Sequence, residues 1–279
     1  FNLALEQYIF DEMDRSHEYF MLWQNDNCII VGVYQNTINE IKQDVVKERN
    51  IKVVQRLSGG GAVYEDMGNL SFTYVTDQKD KKAVIDFSVF LNPVASALAK
   101  LGVAAEVNGR NDITIDGKKF SGNAQYIKQG RVMHHGTMLF DCDLSVVGAC
   151  LNVSKEKMAA KGVQSVASRV TNIKSYMDDS IDMEKFKEAL LSAMFSQGEI
   201  TEHKLTEEDI AKVNKIKEEK YALDSWNYGK SPIYNLSRKK RFEGIGTVEA
   251  YAEFDEAANT IKSITLHGDF FSRAGIEEF

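Results

Sequence analysis

Three adjacent glycines are the first residues whose type and spacing could do chemistry. They occupy positions 59–61 of the segment RLSGGGAVYED, which begins at Arg56. Each glycine costs roughly 0.5–1 kcal/mol relative to alanine inside regular structure, so three together indicate either a tight connection between strands or a backbone that something approaches closely. Arg56 favours the second interpretation, because a guanidinium can pair with a phosphate or carboxylate that exposed N–H groups also bind.

A second candidate is the adjacent pair Lys118 and Lys119 on a predicted strand. Neighbouring strand residues point to opposite faces, so only one of the two can enter a site on either face. Ser121 is expected on the face of Lys119, and Gly122 beyond it permits a close approach of backbone or ligand. Strand lysines are usually solvated, so the pair indicates a site only in combination with other residues.

Histidine and cysteine offer little metal chemistry. His134 and His135 alternate in direction on a predicted strand, and no carboxylate or cysteine stands around them at metal-ligand spacing. Packing, or a hydrogen bond to substrate, is the expected role. Cys142 is expected to be a buried structural thiol. With Cys28 and Cys150 far away in sequence, neither a disulfide framework nor a zinc site is indicated, which favours a reducing cytoplasm.

The elements that must position these residues begin with a helix. Apolar residues recur at helical spacing from Phe1 to Met13, and YFMLW, CIIVGVY, IKVVQR and NLSFTYV then predict strands, so the glycines lie between two strands. A helix is predicted through Val45 and Val46. Residues 86–101 predict an apolar helix that Pro93 should kink or divide into two pieces.

From Ile113 onward the pattern predicts antiparallel hairpins. Asp116 and Gly117 occupy the two positions that a type I′ turn favours, and IKQGRV supplies a second turn before VMHHGTMLF. Helices are then predicted at about 144–151, 182–197 and 206–220, the last with Thr206 and Asp209 at the spacing of a capping box.

Residues 222–244 have the composition of a linker or domain border, and two paired strands follow them. We therefore expect two domains, a catalytic one over 1–235 and, over 236–279, a linker and the start of a small accessory domain. The second is too short for an independent core, so we expect it to be represented only in part.

Length and composition narrow the class of protein. The 279 residues are 43% hydrophobic, enough for a sizeable core, and the net charge of −7 argues against a general affinity for nucleic acid or anionic membranes. No apolar stretch approaches about 18 residues, and no secretory signal is evident. The chain opens on Phe1 within a helical pattern, so a preceding segment is expected to be missing. Together with the cysteine pattern, the lack of a long apolar or secretory segment leads us to expect a cytoplasmic location.

Several segments in series resemble the lipoate-protein ligases. They are RLSGGGAVYEDMGNLSFTY, GRNDITIDGKKFSGNAQ, HHGTMLF, AAKGVQSVASRVTNI and WNYGKSP with the later RFEGIGTVEAY and GDFF, and the opening FNLALEQYIF resembles the family's first helix. Their order and spacing match along essentially the whole chain. The resemblance implies an α/β protein of the α+β type, with a mixed-sheet catalytic domain of the biotin/lipoate ligase fold and a small C-terminal domain.

The resemblance also implies an activity. Members activate lipoate with ATP as lipoyl-AMP, release pyrophosphate, and transfer the lipoyl group to a lysine of a lipoyl domain. The expected acceptors are 2-oxoacid dehydrogenase E2 subunits or glycine cleavage H protein, with Mg²⁺ accompanying ATP. Such chemistry brings a carboxylate to a triphosphate, so fixed cations and N–H donors are needed to screen the repulsion.

Family roles can be carried over to matching positions. Lys119 is the expected catalytic residue, reaching both the lipoyl carbonyl and the phosphate as a cation, since an ordinary lysine stays protonated. The ATP- and adenylate-binding set is Arg56, Gly61, Ala62, Val63, Tyr64, Asn111, Asp112 and Lys119. The lipoate-binding set is Arg56, Ser58, Gly60, Lys119, Gly122 and His135. Asp112 is also the candidate metal ligand. The alternative role for Asn111 and Asp112 is packing within the hairpin. The acyl tail is expected near Leu3, Ile38 and Val63.

Departures from the family keep two alternatives open. Glu65 stands where members often carry histidine, Val33 replaces a frequent arginine, and Ala167 replaces the usual basic residue before Ser168. Ala167 and Glu65 are compatible with a binding or relay paralogue that has lost adenylation. The other alternative is an ATP-independent octanoyl or lipoyl transferase of the same fold, which would require a reactive cysteine; Cys142 is the thiol nearest to a motif.

Overall fold

The computed structural model describes residues 1–78, 86–108, 111–152, 169–195, 200–229 and 232–272 and has a mixed α/β architecture. The helices are α1 (Asn2–Glu12), α2 (Thr37–Glu40), α3 (Gln43–Glu48), α4 (Ser88–Lys100), α5 (Leu144–Cys150), α6 (Met183–Met194), α7 (Glu207–Ile216) and α8 (Asp224–Asn227). The strands are β1 (Tyr19–Trp23), β2 (Cys28–Val31), β3 (Lys52–Gln55), β4 (Val63–Glu65), β5 (Asn69–Asp77), β6 (Glu106–Asn108), β7 (Asp112–Ile115), β8 (Lys118–Lys128), β9 (Arg131–Leu139), β10 (Leu236–Phe242), β11 (Gly246–Asp255) and β12 (Thr260–Gly268). None of the helices in these ranges combines the length and the apolar character that crossing a membrane demands.

The largest sheet has the strand order β1-β5-β9-β8-β7-β6, with every neighbouring pair antiparallel. Alternate residues of a strand point to opposite faces. Leu70 and Phe72 of β5 therefore pack into a core with α4 and α6. Ser71 and Thr73 face the other side, where the buried side chains are largely polar. The sheet thus has one apolar face for folding and one polar face available for a site.

A smaller sheet of order β3-β2-β4 lies beside it. Strand β2 pairs in parallel with β3 and antiparallel with β4, which makes Ile30 a partner of Val63. Ile30 packs in one cluster with Leu3 of α1 and Trp23 of β1. The three glycines connect β3 to β4, so the expectation that they lie between strands is confirmed.

Local sequence signals account for the turns and caps. Asp116 and Gly117 have φ of +49° and +73°, the left-handed pair that a type I′ turn requires, and the turn before β9 repeats this geometry. Thr206 and Asp209 form the expected capping box at α7. Helix α4 continues through Pro93 as one element, so the expected division into two pieces is not found.

The prediction of a linker over residues 222–244 is wrong in part. This range contains the short helix α8 and the whole of β10, and the basic run Arg238–Arg241 lies within that strand. Strand β10 is exposed along its full length and, among the described strands, pairs with β11 alone. It therefore carries no apolar periodicity that a sequence pattern could reveal. The C-terminal sheet consequently has the three strands β10-β11-β12 instead of two.

The C-terminal sheet is attached to the segment that follows β2. Gly268 N–H donates to the Tyr34 carbonyl at 2.8 Å, and the rings of Tyr34 and Phe270 stack with centroids 4.8 Å apart. Asn39 Nδ2 donates to the Tyr251 hydroxyl at 2.9 Å. These contacts place the end of β12 directly beside the glycine loop.

Candidate active site

A cavity of about 780 Å³ lies between the polar face of the large sheet and the small sheet. Most of the residues predicted from the sequence line it: Leu3, Arg56, Gly60, Gly61, Ala62, Val63, Tyr64, Asn111, Asp112, Lys119, Gly122 and His135. Two do not. Ser58 is buried outside the lining, and Ile38 is 41% exposed on α2, so the expectation that Ile38 borders the acyl tail is wrong.

The floor of the cavity is a row of residues in register across five strands: Trp23, Ser71, Thr137, Gly122 and Asp112. Trp23 pairs with Ser71 and Ser71 with Thr137, while Gly122 pairs with Asp112. Gly122 N–H donates to Thr137 Oγ1 at 3.4 Å, which joins the two halves of the row. All five residues line the cavity. This cavity floor fixes where side chains from distant segments stand relative to one another.

Lys119 stands over one end of the cavity floor. Its Nζ lies 2.7 Å from Asp112 Oδ1, and a Cβ placed on Gly122 would lie 2.7 Å from the same Nζ. A register shift between β7 and β8 inserts an extra residue next to Lys119. Strand alternation is thereby displaced, so Lys119 lies above Gly122 and not beside Ser121, which is fully buried and hydrogen-bonded to Asn123. The expectation that Ser121 shares the face of Lys119 is corrected accordingly.

Arg56 holds the glycine loop from inside. Its guanidinium donates to the carbonyls of Gly59 at 2.6 Å, Gly61 at 2.9 Å and Ile30 at 3.2 Å, and its Nε donates to Ser58 Oγ at 2.9 Å. Burial lowers the pKa of Arg56 to about 10, so it remains protonated near neutral pH. The sequence suggested an arginine aimed at an anion; the structure shows that most of its donors first shape the loop.

A chain of hydrogen bonds continues from Arg56 to the first helix. Ser58 Oγ lies 2.5 Å from His135 Nε2, and His135 Nδ1 lies 2.9 Å from Glu6 Oε1. Thr73 Oγ1 donates to the same carboxyl oxygen at 2.5 Å. The partners assign the histidine proton to Nδ1, with Nε2 accepting from Ser58. His135 is thus held in one orientation at the cavity wall.

Glu65 is a buried carboxyl group in the same wall and was the least expected residue of the motif. It is 1% exposed, accepts hydrogen bonds from Asn25 Nδ2 at 2.9 Å and Ser71 Oγ at 3.1 Å, and lines the cavity. Desolvation raises its pKa to about 7, and Glu6 acts in the same direction, whereas the hydrogen bonds and Arg56 oppose the rise. One sequence signal could have indicated that Glu65 is buried. This residue lies two positions after Val63 and therefore on the same face of a short apolar strand.

Several wall residues were not among the site residues predicted from the sequence. They are Arg169, Arg241, Phe242, Asp269 and Phe271. Arg169 belongs to the motif SVASRV, and Ala167 and Ser168 of that motif lie outside the described residues. The others belong to the motifs RFEGIGT and GDFF, whose positions in the chain gave no reason to expect them at the same cavity.

The first two glycines of the loop make room for the C-terminal segment. A Cβ on Gly59 would lie 2.3 Å from the Phe270 carbonyl oxygen, and Gly60 N–H donates to that oxygen at 3.3 Å. Gly60 has φ of +91°, a conformation that side chains rarely adopt. Close approach of backbone, one of the two interpretations open at the sequence level, is therefore realised here within the chain itself.

Cys142 and His134 lie apart from the cavity. Burial raises the pKa of the Cys142 thiol well above its usual value, with Asp66 adding to the rise, and the residue is not part of the wall. His134 is fully buried, stacks on Phe90 with centroids 4.4 Å apart, and has its pKa lowered by desolvation. Neither has the exposure that a nucleophile or proton carrier of this site needs.

The chain matches two sequence families. "Lipoyl protein ligase A/B catalytic domain" matches residues 1–195, and "Bacterial lipoate protein ligase C-terminus" matches residues 231–279. The lipoate-protein ligase LplJ of Bacillus subtilis is 42% identical over 280 residues, covering 99% of this chain and 83% of that protein. Lipoate–protein ligase 1 of Staphylococcus aureus is 41% identical, covering 97% and 81%.

Solved structures agree with these sequence matches. P. falciparum LipL1 in complex with lipoate aligns with a TM-score of 0.75 at 25% identity, covering 97% of this chain and 82% of that one. A lipoate-protein ligase A bound with ATP gives 0.71 at 26%, covering 81% and 92%. The bipartite lipoate protein ligase of Thermoplasma acidophilum, described with its E2 lipoyl domain, gives 0.72 at 27%, covering 84% and 93%.

Fold and cavity thus define a ligase of the biotin/lipoate ligase fold, with a mixed α/β catalytic architecture. The chain belongs to the lipoate-protein ligase family and is an enzyme of that kind.

Proposed function

We propose that this enzyme activates lipoate with ATP to lipoyl-AMP and then transfers the lipoyl group to a lysine of a lipoyl domain. The observation that carries the proposal is the placement of Lys119 beside Asp112 in a cavity that the glycine loop also lines. Relatives solved with lipoate and with ATP support both substrates. The division into a catalytic domain over 1–235 and an accessory domain over 236–279 belongs to the same proposal.

In the first step a lipoate carboxylate oxygen attacks the α-phosphorus of ATP. The new O–P bond forms as the bond to the bridging oxygen breaks, and pyrophosphate leaves. Lys119 is the cation that neutralises charge developing on the α-phosphoryl oxygens, aided by backbone N–H groups over 61–64. Arg56 contributes by holding those N–H groups in place through the carbonyls of Gly59 and Gly61.

In the second step the neutral amine of an acceptor lysine attacks the acyl carbonyl. A C–N bond forms, the bond from the acyl carbon to the phosphate oxygen breaks, AMP leaves, and the amine gives up a proton to solvent. Lys119 polarises the carbonyl oxygen in this step. Its ammonium is suited to both steps, because it stands over Gly122, where the absent side chain leaves space for the reacting group.

The residues present fit Mg²⁺ held chiefly by substrate phosphates. Asp112 is the cavity carboxylate next to Lys119, and Oδ1 already accepts from Nζ. Among the described residues, no group of three or more acidic, histidine or cysteine side chains could form a protein cage for a metal. One carboxylate together with phosphate oxygens is a common Mg²⁺ arrangement. When bound, the ion would neutralise phosphate charge, with Asp112 as its protein ligand.

The acceptor is proposed to be a lipoyl domain of a 2-oxoacid dehydrogenase E2 subunit or the glycine cleavage H protein. Support comes from the Thermoplasma acidophilum ligase, which is described with its E2 lipoyl domain. Arg241 and Phe242 of β10 line the cavity, so the C-terminal sheet would border the acceptor lysine as it reaches the acyl group.

The direct test is the mass of an acceptor domain after incubation with enzyme, lipoate, ATP and Mg²⁺. We expect a gain of one lipoyl group that requires ATP, together with release of pyrophosphate. Acylation from a carrier protein without ATP, abolished by Cys142→Ser, would instead identify a transferase; the burial of Cys142 argues against it. Lipoate binding without either activity would identify a relay protein and refute the proposal.

A further inference from the structure

The length of the cavity floor determines which part of an acyl group reaches which residue. Ser71, on β5, is two strands away from Gly122, on β8, through Thr137 of β9. Neighbouring strands are about 4.8 Å apart, so these positions are separated by about 10 Å. An extended medium-chain acyl group spans a comparable distance. With its carboxyl group at Lys119, above Gly122, its far end therefore arrives at Ser71 and at Glu65, which is hydrogen-bonded to Ser71.

The surroundings of Glu65 are those of an apolar acyl end. Val63 and Ile30, which are in register on neighbouring strands, share its face of the small sheet. Leu3 and Trp23 pack with Ile30 and line the same cavity. A carboxyl group in such a place is exceptional, because burying a polar group without full hydrogen bonding is costly.

Both hydrogen bonds that the structure gives the Glu65 carboxyl are accepted by it, from Asn25 Nδ2 and Ser71 Oγ. A protonated carboxyl is also a donor, and neither of these bonds uses that proton. The side chain lines the cavity, so a ligand there can receive the hydrogen bond.

We propose that Glu65 is a specificity-determining residue that makes the cavity prefer an acyl group ending in a cyclic disulfide over a plain alkyl chain of similar length. A disulfide sulfur is a weak hydrogen-bond acceptor and can receive the carboxyl proton. An alkyl end offers no acceptor and leaves the buried O–H unsatisfied. The proposal rests on the proposed function, since it places the acyl carboxyl group at Lys119.

The preference depends on pH because only the protonated form donates. Burial raises the pKa of Glu65 to about 7. The other titratable or charged groups that act on it are Glu6 of α1, Arg56 after β3, and the thiols of Cys28 and Cys142. Near pH 6 the neutral carboxyl predominates and the preference is present. Above pH 8 the ionised form has no proton to donate to either acyl end, so the preference is lost.

The test is calorimetric binding of lipoate and octanoate without ATP, at pH 6 and at pH 8.5. For the unmodified enzyme we expect lipoate to bind about three- to tenfold more tightly at pH 6, the value of one hydrogen bond, with a ratio near one at pH 8.5. Glu65→Leu should give a ratio near one at both pH values. Glu65→Gln keeps a donor at every pH and should retain the preference at both.

Glu48→Gln is the matched control, because Glu48 is an exposed carboxylate on α3, and it should behave as the unmodified enzyme. A lipoate-to-octanoate ratio that is near one at pH 6, or that does not change with pH in the unmodified enzyme, overturns the proposal while leaving the ligase assignment intact. Absence of binding by both acids overturns this proposal together with the proposed function. The measurement on the unmodified enzyme decides the matter even if Glu65→Leu fails to fold.

Discussion

Two ionisable side chains of opposite type stand at separate positions along the cavity floor, Lys119 above Gly122 and Glu65 beside Ser71. Lys119 is partly exposed and paired with Asp112, so its charge is available to an incoming phosphate. Glu65 is buried, and its charged form is disfavoured by the lack of water around it. A carboxylate substrate with an apolar tail is complementary to this arrangement, since its charged end meets a cation and its tail meets a group that can be neutral.

Replacing Lys119 by alanine should abolish adenylation without unfolding the protein. Removing one fixed electrostatic contact to a transition state typically costs about 10²–10³ in rate. The ion pair with Asp112 is part-exposed and stabilises by at most about 1 kcal/mol. Pyrophosphate release and thermal unfolding should therefore separate, with the first lost and the second nearly unchanged.

Lys118→Ala is the control for this variant, because Lys118 is the adjacent, exposed strand residue. Its rate should stay within about twofold of the unmodified enzyme. Normal pyrophosphate release by Lys119→Ala, or equal losses in the two variants, would contradict the assigned role.

Glu65 should make the protein less stable as the pH rises. The folded-state pKa, about 7, lies above the ordinary value of 4.5, so the folded protein holds this proton more tightly than the unfolded chain. The resulting stabilisation is fully present below about pH 4.5 and is lost as the pH rises through 7, amounting to about 3 kcal/mol. Urea unfolding at several pH values should show this decline in the unmodified protein.

Glu65→Gln lacks this pH-dependent contribution. Between pH 4.5 and 8, the free energy of unfolding of the variant should therefore increase relative to that of the unmodified protein. Glu48→Gln should run parallel to the unmodified protein. Parallel curves for Glu65→Gln as well would show that Glu65 titrates normally.

At the scale of elements, the glycine loop is held from two sides. Arg56 binds its carbonyls from within the small sheet, and the Phe270 carbonyl receives the Gly60 N–H from the end of β12. The loop therefore has little freedom in the absence of ligand, which is the condition for N–H donors that are to bind phosphate without reorganising.

Gly59→Ala should weaken this arrangement. The added methyl group would lie 2.3 Å from the Phe270 oxygen, so the C-terminal segment must move. We expect a loss of about 1–3 kcal/mol in the free energy of unfolding, in the range of overpacked sites.

Gly148→Ala is the comparison, since Gly148 is in helix α5 with open space around its Cβ position. It should gain about 0.5–1 kcal/mol. Thermal melts of the two variants should move in opposite directions; an unchanged melt for Gly59→Ala would mean that the Phe270 contact contributes nothing.

At the scale of the whole molecule, the C-terminal sheet closes one side of the cavity and is tied to the catalytic part by a few contacts around Phe270 and Tyr251. Phe271 reaches the cavity and lies against Gly60 and Phe87. The position of this sheet thus bears on both the glycine loop and access to the acyl group.

Phe270→Ala should loosen the sheet from the glycine loop. The ring is 8% exposed and stacks on Tyr34, and its removal takes away most of that packing. Hydrogen exchange of the Gly60 and Gly268 amides should become faster, because Gly60 N–H donates to the Phe270 carbonyl and Gly268 N–H to the Tyr34 carbonyl, next to the same ring contact. Ile261→Ala, an exposed position on β12, should leave that exchange unchanged. Unaltered exchange in Phe270→Ala would refute the coupling.

The elements that could be predicted were those with strong local signals. The first helix, the strands around the glycines, the turn at Asp116–Gly117 and the capping box at Thr206 follow from periodicity, turn chemistry and caps, all of which act between near neighbours in sequence. Strand β10 was missed because its pairing partner comes later in the chain and neither of its faces is buried.

By itself, the sequence determined the motifs, their order and the family to which they belong, because residue type and spacing are sufficient for these. Only the tertiary structure decided what each residue contacts. The inserted residue beside Lys119 sets it over Gly122, and burial turns Glu65 from a surface-type residue into a neutralisable wall group. Gly59 leaves room for the Phe270 carbonyl, about 210 residues further along the chain. Register, burial and long-range contact depend on how distant segments pack, and no local pattern contains that information.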